Sequence, residues 1–492
     1  MKLIIKSLLM VFTLVSFIYP QAGTRLVDYN AQSLGRGGTS IGIFDGTDLM
    51  MTNPAGISFL DNSVLDADFS VMAPSLHFSN SLNNADGSKN LFPLPSLAYV
   101  NKSQGSSFTW GVGFFTSGGM GADFNLQNAL YGTTLQQYHS KLASMEGGIT
   151  AAYQLNNNFS VGTSLHLVYS MLEFSMPYSL NPSIMQGIAM PGMTFGQMFS
   201  APASMGGFGY DEVTATAKMT DLVGIGFNGK IGFAYKMNDK LSFGLSYTMP
   251  TSLTYKNGSA SMDMTAQLND AFGKAVQGYM MQNPGTTSAQ AQAAVMAQFS
   301  GLGIDLTKGV QANYNLNVDL KFPQSLGFGA SYAALSNFKV ACDVEWINWA
   351  NAFDNMTIKL SNGSNSNINT MMGNNGTFSM DFPMNWKNSA LVKIGGEYNA
   401  NEVLTLRLGY AYGGNPVPES TIFPIFPAIV ESHLMLGVSY KISAPLTVHA
   451  AFEMGLNNSE TASNPSLIAD EYSGSTSQLS TVLIHLALSY TF

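Results

Sequence analysis

Side chains able to make or break bonds are few and scattered in this chain. His77, His139, His166, His433, His449 and His485 are its six histidines, scattered along the chain without the spacing of metal ligands. No ligand set for a metal is therefore written locally. Cys342 is the only cysteine, which excludes an internal disulfide and a thiolate cluster. Asp66 and Asp68 stand two apart and could act as paired acids, but a period of two on a strand also makes them neighbours on an ordinary polar face. No nucleophile can be matched to a base, so the sequence reads as a non-enzyme without cofactor or metal. What is concentrated instead is soft apolar surface. Residues 171–205 carry Met171, Met176, Met185, Met190, Met193, Met198 and Met205 with Phe195 and Phe199. Methionine surfaces adapt to varied apolar ligands, and the competing reading is packing of loop on loop.

These residues must be carried on strands. From residue 64 onward the chain alternates apolar and polar side chains, the mark of a strand with two unlike faces. Residues 223–235 set Val223, Ile225, Phe227, Ile231, Phe233 and Tyr235 against Gly224, Gly226, Asn228, Lys230 and Gly232. Residues 482–492 set Val482, Ile484, Leu486, Leu488, Tyr490 and Phe492 against His485, Ser489 and Thr491. About fourteen such segments follow one another along the chain, an even number as in closed membrane barrels. Their connections alternate. Short ones hold turn residues such as Asn156-Asn157-Asn158 and Asn238-Asp239. Long ones fall at 79–93, 117–141, 176–221, 258–310, 360–385, 414–430 and 457–478. Within them, 265–300 is rich in Ala and Gln and is expected to be partly helical. The Asn-, Ser- and Gly-rich tract 361–377 is expected to be a loop.

Two segments stand outside this pattern. Residues 1–21 have Lys2 and Lys6 before an apolar run from Leu8 to Ile18, the layout of a secretory signal. Residues 22–62 follow neither period and are rich in Gly, Asp, Asn and Thr. They are expected to form a plug inside a closed barrel of residues 63–492. Within the plug, Asn53, Pro54 and Ala55 are expected to form a tight turn.

Composition agrees with a membrane barrel. Charged residues make up 10% of the chain, against about 25% in soluble domains. The net charge of −9 and only three arginines argue against nucleic-acid binding. The expected fold is thus an all-β transmembrane antiparallel barrel, with long loops on one side and short turns on the other. An even strand number puts both termini on the turn side. Lumen-facing charges assigned by alternation are Asp319, Lys321, Lys339, Asp343, Glu345, Lys393, Glu397, Arg407 and Glu453. A salt-bridged network bracing barrel and plug is the leading reading of them. Gly111, Gly113, Gly118 and Gly119 mark either a kink in the third strand or a small face against the plug.

Several short stretches together resemble the FadL/toluene-transporter (TodX) family of outer-membrane channels for hydrophobic compounds. They are Ala22-Gly23 with Ser33-Leu34-Gly35-Arg36 and Asn53-Pro54-Ala55, then Gly121-Ala122-Asp123-Phe124-Asn125, Phe322-Pro323-Gln324, and Tyr412-Gly413-Gly414-Asn415-Pro416-Val417-Pro418. The last departs from the family at Asn415, where an acid is usual. The resemblance implies a 14-stranded barrel plugged by an N-terminal hatch, in the outer membrane of a Gram-negative-type cell with both termini periplasmic. It also implies passive uptake of long-chain fatty acids or aromatic hydrocarbons. Capture would occur in an external apolar groove, here Met193, Phe195, Met198 and Phe199, and exit would be sideways beside a kinked third strand, here Gly111 and Gly113. Arg407 is the candidate partner for a fatty acid's carboxylate. The expected partners are outer-membrane lipid, an apolar ligand and the barrel-assembly machinery, with the chain a monomer. The contrasting function is a structural or adhesive barrel that displays its loops. Tyr490 and the terminal Phe492 look like the signal that assembly machinery reads. Deleting Phe492 is expected to lower the amount of protein in the outer membrane, read by quantifying membrane fractions; unchanged levels would count against that role.

Overall fold

Alternating segments of this kind can pair on both edges while keeping unlike faces, and a ring of them leaves no edge unpaired. The computed structural model describes residues 23–463 and 472–492, and the expected signal at 1–21 lies outside them. Fourteen strands close into one antiparallel barrel. The first six are Val64–Ser79, Phe92–Asn101, Phe108–Leu126, Gln136–Gln154, Phe159–Leu180 and Val213–Lys236. The next four are each broken into two halves. They are Leu241–Thr248 with Thr251–Asp263, Gln311–Phe322 with Ser325–Leu335, Phe338–Ile347 with Asn355–Ser361, and Phe378–Pro383 with Ser389–Asn399. Leu404–Gly413, Ser432–Lys441, Leu446–Thr461 and Thr476–Thr491 complete the ring. The last strand closes on the first, with Val64 opposite Thr491 and Ser79 opposite Thr476.

Which face is apolar changes along the barrel. In the half nearest the short turns, Leu165, Phe227, Ile231, Phe328, Leu408, Leu436 and Leu486 point outward and are exposed. Their alternates Ser164, Lys230, Asp343, Glu345, Glu397 and His485 are buried inside. In the half nearest the long loops the order reverses. Leu253, Tyr255, Leu316, Val318, Leu320 and Ile358 are buried inside, while Ser252, Thr254, Asn315, Asn317, Lys321 and Lys359 face out and are exposed. The first half is made for a hydrocarbon surround and the second for water. The inner halves are 8, 11 and 10 residues long in the seventh, eighth and ninth strands, close to the roughly 9–11 that a tilted strand needs to cross a bilayer. Proline marks the changeover at Pro250 and Pro323, where a missing N–H interrupts the ladder.

This reversal corrects the face assignment of Asp319 and Lys321. Both sit on the outer half of the eighth strand and point away from the lumen. Asp319 instead meets Lys359 of the ninth strand at 2.6 Å on the outer surface. The strands also run further than their alternation suggests. The third and fourth extend to Leu126 and from Gln136, so the loop expected at 117–141 narrows to 127–135. The loop at 176–221 narrows to 181–212 in the same way. Register shifts between Thr116 and Gly118, Leu172 and Phe174, and Tyr255 and Gly258 explain the discrepancy. Each bulge moves the period of two by one residue.

The long loops are structured. Thr265–Gln282 and Ser288–Gly301 are helices, as the Ala- and Gln-rich composition suggests, the second begun by a capping box of Thr287 and Gln290. The tract at 361–377 holds a short helix, Ser366–Met372, because Asn365 accepts from the N–H groups of Asn367 and Ile368.

The two face patterns can be separated by lysine. Leu165→Lys, outward on the inner half, is expected to cost about 2–4 kcal/mol of folding free energy in a bilayer. Asn317→Lys, outward on the outer half, is expected to stay within about 0.5 kcal/mol. Urea titration of protein folded in vesicles measures both.

Candidate functional site

Inside the outer half of the barrel the reversed faces and the loops build one continuous apolar cluster. Phe382 lies near its middle, with ring centroids of Phe174, Tyr178 and Phe423 at 5.7, 5.5 and 5.2 Å. Phe423 in turn meets Phe426 at 5.4 Å. Its floor is a trio: Trp349 lies 5.0 Å from both Phe353 and Trp386, which stack at 4.5 Å. Gly23, at the start of the described chain, rests on this floor. A side chain there would collide with Trp349.

Phe195, Met198 and Phe199 belong to this cluster. They ride on the helix Phe195–Ser200, which a capping box of Thr194 and Gln197 starts. All three are buried, and Phe199 packs against Phe208 at 5.2 Å and Tyr210 at 5.7 Å. Met193 is half-buried beside them, whereas Met190 and Met205 are exposed. The segment is thus folded into the interior rather than laid out as an open groove. Burying these side chains against each other is worth about 25 cal/mol per Å² removed from water. Gly187 locks the segment to the helix Ser366–Met372, donating to Met371 O at 2.9 Å and accepting from Phe195 N at 2.8 Å.

Below this cluster, residues 24–60 are buried against inward groups of strands all round the ring. Asp68 accepts from Ala31 N at 2.7 Å, and Asp343 accepts from Ser40 N at 2.7 Å and Ile41 N at 3.0 Å. Lys393 donates to Val27 O at 2.6 Å. Asn53 donates to Ile41 O at 2.8 Å and to Phe233 O on the sixth strand at 3.1 Å. Pro54 starts a 3-10 helix, Pro54–Phe59, with Ala55 wholly buried in it. Gly395 and Gly409 on the tenth and eleventh strands let the backbone of Arg36 and Gly37 pass; a Cβ at either would collide with it. These inward glycines were visible in the strand alternation as small-residue positions, but only the packed segment shows what their smallness is for.

Arg36 is the hub of the charges. It forms a bidentate pair with Asp45, at 2.6 and 2.9 Å, and reaches Glu397 at 3.3 Å. Arg407 joins the same Glu397 at 2.7 Å and also bonds Ser439. Arg407 is therefore committed to bracing and does not open onto the apolar cluster. Burial alone would raise the Asp45 carboxyl, but the Arg36 guanidinium overrides this and holds it below the usual range. Asp48 is pushed the other way, well above that range, by burial and then by Asp28. Arg25 pairs with Glu345 of the ninth strand at 2.8 Å.

Strand pairing lapses beside this segment. The second strand pairs with the third only over Ser96–Asn101 against Trp110–Phe115. Beyond Phe115 the third strand bulges between Thr116 and Gly118 and leaves its neighbour. Pro93 and Pro95 help to keep that edge open, since neither has an N–H to offer. The N-terminal segment fills the vacant edge. Arg25 bridges to Gly118, and Gly119 N donates to Thr24 O at 2.9 Å. The kink is thus at Thr116–Gly118 and not at Gly111 and Gly113, which hold regular register with both neighbours. Those two glycines serve close packing: a Cβ on Gly111 would stand 2.9 Å from Met50 Sδ and one on Gly113 would meet Phe115. Phe322 and Pro323 line a small pocket with Arg25, Glu146 and Lys230 at the gap.

At the far end, Phe492 N donates to Ser63 O at 3.0 Å, and its exposed ring meets Tyr490 at 5.0 Å and Tyr99 at 5.9 Å. Asn415, in the loop after the eleventh strand, donates to Glu460 at 3.2 Å.

Comparison with known proteins agrees with this architecture. A family model described as outer membrane protein transport protein (OMPP1/FadL/TodX) matches residues 12–492. The Escherichia coli K12 long-chain fatty acid transport protein is 26% identical over 265 residues. That match spans 51% of this chain and 56% of the relative, about half the length of each. The crystal structure of the Pseudomonas putida toluene transporter TodX superposes with a TM-score of 0.68 at 19% identity, covering 96% of this chain and all of the other. A Pseudomonas aeruginosa FadL homologue gives 0.68 at 16% identity, also over 96% of this chain and all of the other.

The Arg36 hub has a measurable weight. Arg36→Met leaves the Asp45 carboxylate without its bidentate partner, while Glu397 keeps Arg407, and is expected to destabilise the protein by about 3–5 kcal/mol. Adding Asp45→Asn is expected to recover part of that loss, because the stranded charge is removed. Chemical denaturation of both variants tests this.

Proposed function

Since this chain belongs to the outer membrane protein transport family (OMPP1/FadL/TodX), a family of transport channels, we propose that it carries hydrophobic molecules passively inward across the outer membrane. In this reading the apolar cluster of the outer half receives the molecule. Residues 23–62 act as the plug, and the gap at Thr116–Gly118 is the lateral way out. The single observation that carries it is the position of Thr24 and Arg25. They are bonded to the bulge of the third strand, while the neighbouring Gly23 lies against the floor of the apolar cluster. A molecule reaching Trp349 and Trp386 would press on the same short segment that closes the gap. The names of the relatives support two substrate classes, long-chain fatty acids and toluene-like hydrocarbons. Periplasmic placement of both termini, delivery by the barrel-assembly machinery and a monomeric state complete the proposal. A purely adhesive role is less well supported, because it gives no purpose to an interior built of aromatic side chains beside an opening in the wall.

Removing residues 23–60 is expected to leave a folded barrel that conducts small ions and loses selective uptake. Planar-bilayer conductance decides the matter: a variant that inserts yet conducts no more than the intact protein means this segment is not the barrier.

A further inference from the structure

We infer that the apolar chamber selects neutral aromatic molecules and discriminates against ionised carboxylates of the same size. This rests on the channel reading above and names its substrate class. The first observation is where the cations are. Arg25, Arg36 and Arg407 are all held by carboxylates in the inner half of the barrel. Of the buried lysines there, Lys230 meets Glu146 at 3.5 Å and Lys393 is taken by Val27 O. In the outer half, Lys141, Lys274, Lys308 and Lys359 have side chains 40 to 59% exposed, and each already faces an acid; Lys218, Lys256, Lys321 and Lys387 are exposed on the outside. Among the described residues, the buried lysines and arginines are Arg36, Lys230, Lys393 and Arg407, all in the inner half.

The second observation is what does line it. Phe174, Phe382, Phe423 and Phe426 meet edge to face, tilted or stacked at 5.2 to 6.4 Å. A further ring fits such a set because ring edges are positive and ring faces negative. The polar atoms present are neutral. Tyr255 OH and Ser170 Oγ satisfy one another at 2.7 Å. Trp349 Nε1 and Tyr314 OH are buried without hydrogen-bond partners. One neutral donor is enough for the π face of an arene. An ionised carboxylate leaving water needs a cation or several convergent donors, and unpaired it would be strongly disfavoured.

The test uses full-length protein in lipid nanodiscs at mildly alkaline pH, with naphthalene and 2-naphthoate as probes of one ring system. Equilibrium dialysis against empty nanodiscs subtracts partitioning into lipid, and in a Trp110→Phe, Trp346→Phe background quenching of Trp349 and Trp386 reports the chamber. Naphthalene is expected to bind at least roughly tenfold more tightly than naphthoate, since only the anion is buried unpaired. Phe382→Ser is expected to weaken naphthalene binding while the heat-dependent gel shift of a folded barrel persists. Equal or tighter binding of naphthoate overturns this inference and leaves the channel reading standing. Unchanged naphthalene binding in a folded Phe382→Ser protein also overturns it, because the ligand then sits elsewhere. If neither probe binds, the channel reading falls and this inference with it.

Discussion

Backbone placed in hydrocarbon must find all its hydrogen-bond partners within the protein, and a closed ring of strands is one of the two ways to do so. That condition turns one set of side chains outward to lipid and the other into a lumen shielded from water. The inward set of this chain includes Asp66, Asp343, Glu345, Lys393, Glu397 and Arg407, all buried. Charges placed there must be paired. The barrel wall does not pair them by itself. Arg25 and Arg36 of the N-terminal segment, together with its backbone N–H groups at Ala31, Ser40 and Ile41, complete the set. The N-terminal segment and the ring therefore satisfy each other's groups, and in a ring without the segment water entering the lumen would have to take its place.

The same logic, applied where the surround becomes water, produces the second compartment. Past Pro250 and Pro323 the outward face no longer needs to be apolar, so apolar residues can turn inward, and they do. Two interiors result in one barrel, a charged one sealed by the N-terminal segment and an aromatic one above it. Trp349 and Gly23 meet at the boundary between them. Because the interiors are chemically unlike, a hydrophobic molecule gains by resting in the upper one and has little reason to descend through the lower. The lateral exit proposed above would suit that difference.

The side opening also has a local cause. A strand with prolines at 93 and 95 cannot offer a full ladder, and a bulge between Thr116 and Gly118 bends the third strand away from it. An unpaired edge is normally a liability. Here Thr24 and Arg25 cover it with a single bridge and one backbone hydrogen bond. Arg25 is anchored in addition by Glu345 of the ninth strand.

Much of this was legible in the order of residues. Alternation of side chains around Phe227, Leu408 and Leu486, with short Asn-rich turns between long loops, determined a membrane barrel of fourteen strands, because a period of two follows from strand geometry wherever the two faces meet different surroundings. The lack of that period in residues 22–62 set them apart. Side-chain contact across the ring was not legible. Alternation says that Arg407 points inward, but only the closed barrel decides that Glu397 takes it. Glycines at 111, 113, 118 and 119 read either as a kink or as a small face against the plug, and only the folded chain sets Met50 and Phe115 against the first two and the bulge at Thr116–Gly118. Asp319 and Lys321 kept their alternation while the surround changed from lipid to water, so their face could not be told from period alone. Phe195, Met198 and Phe199 declared themselves apolar, yet whether an apolar loop lies open or folds inward depends on what lies above the barrel, and that is a property of the assembled loops rather than of any one stretch of chain.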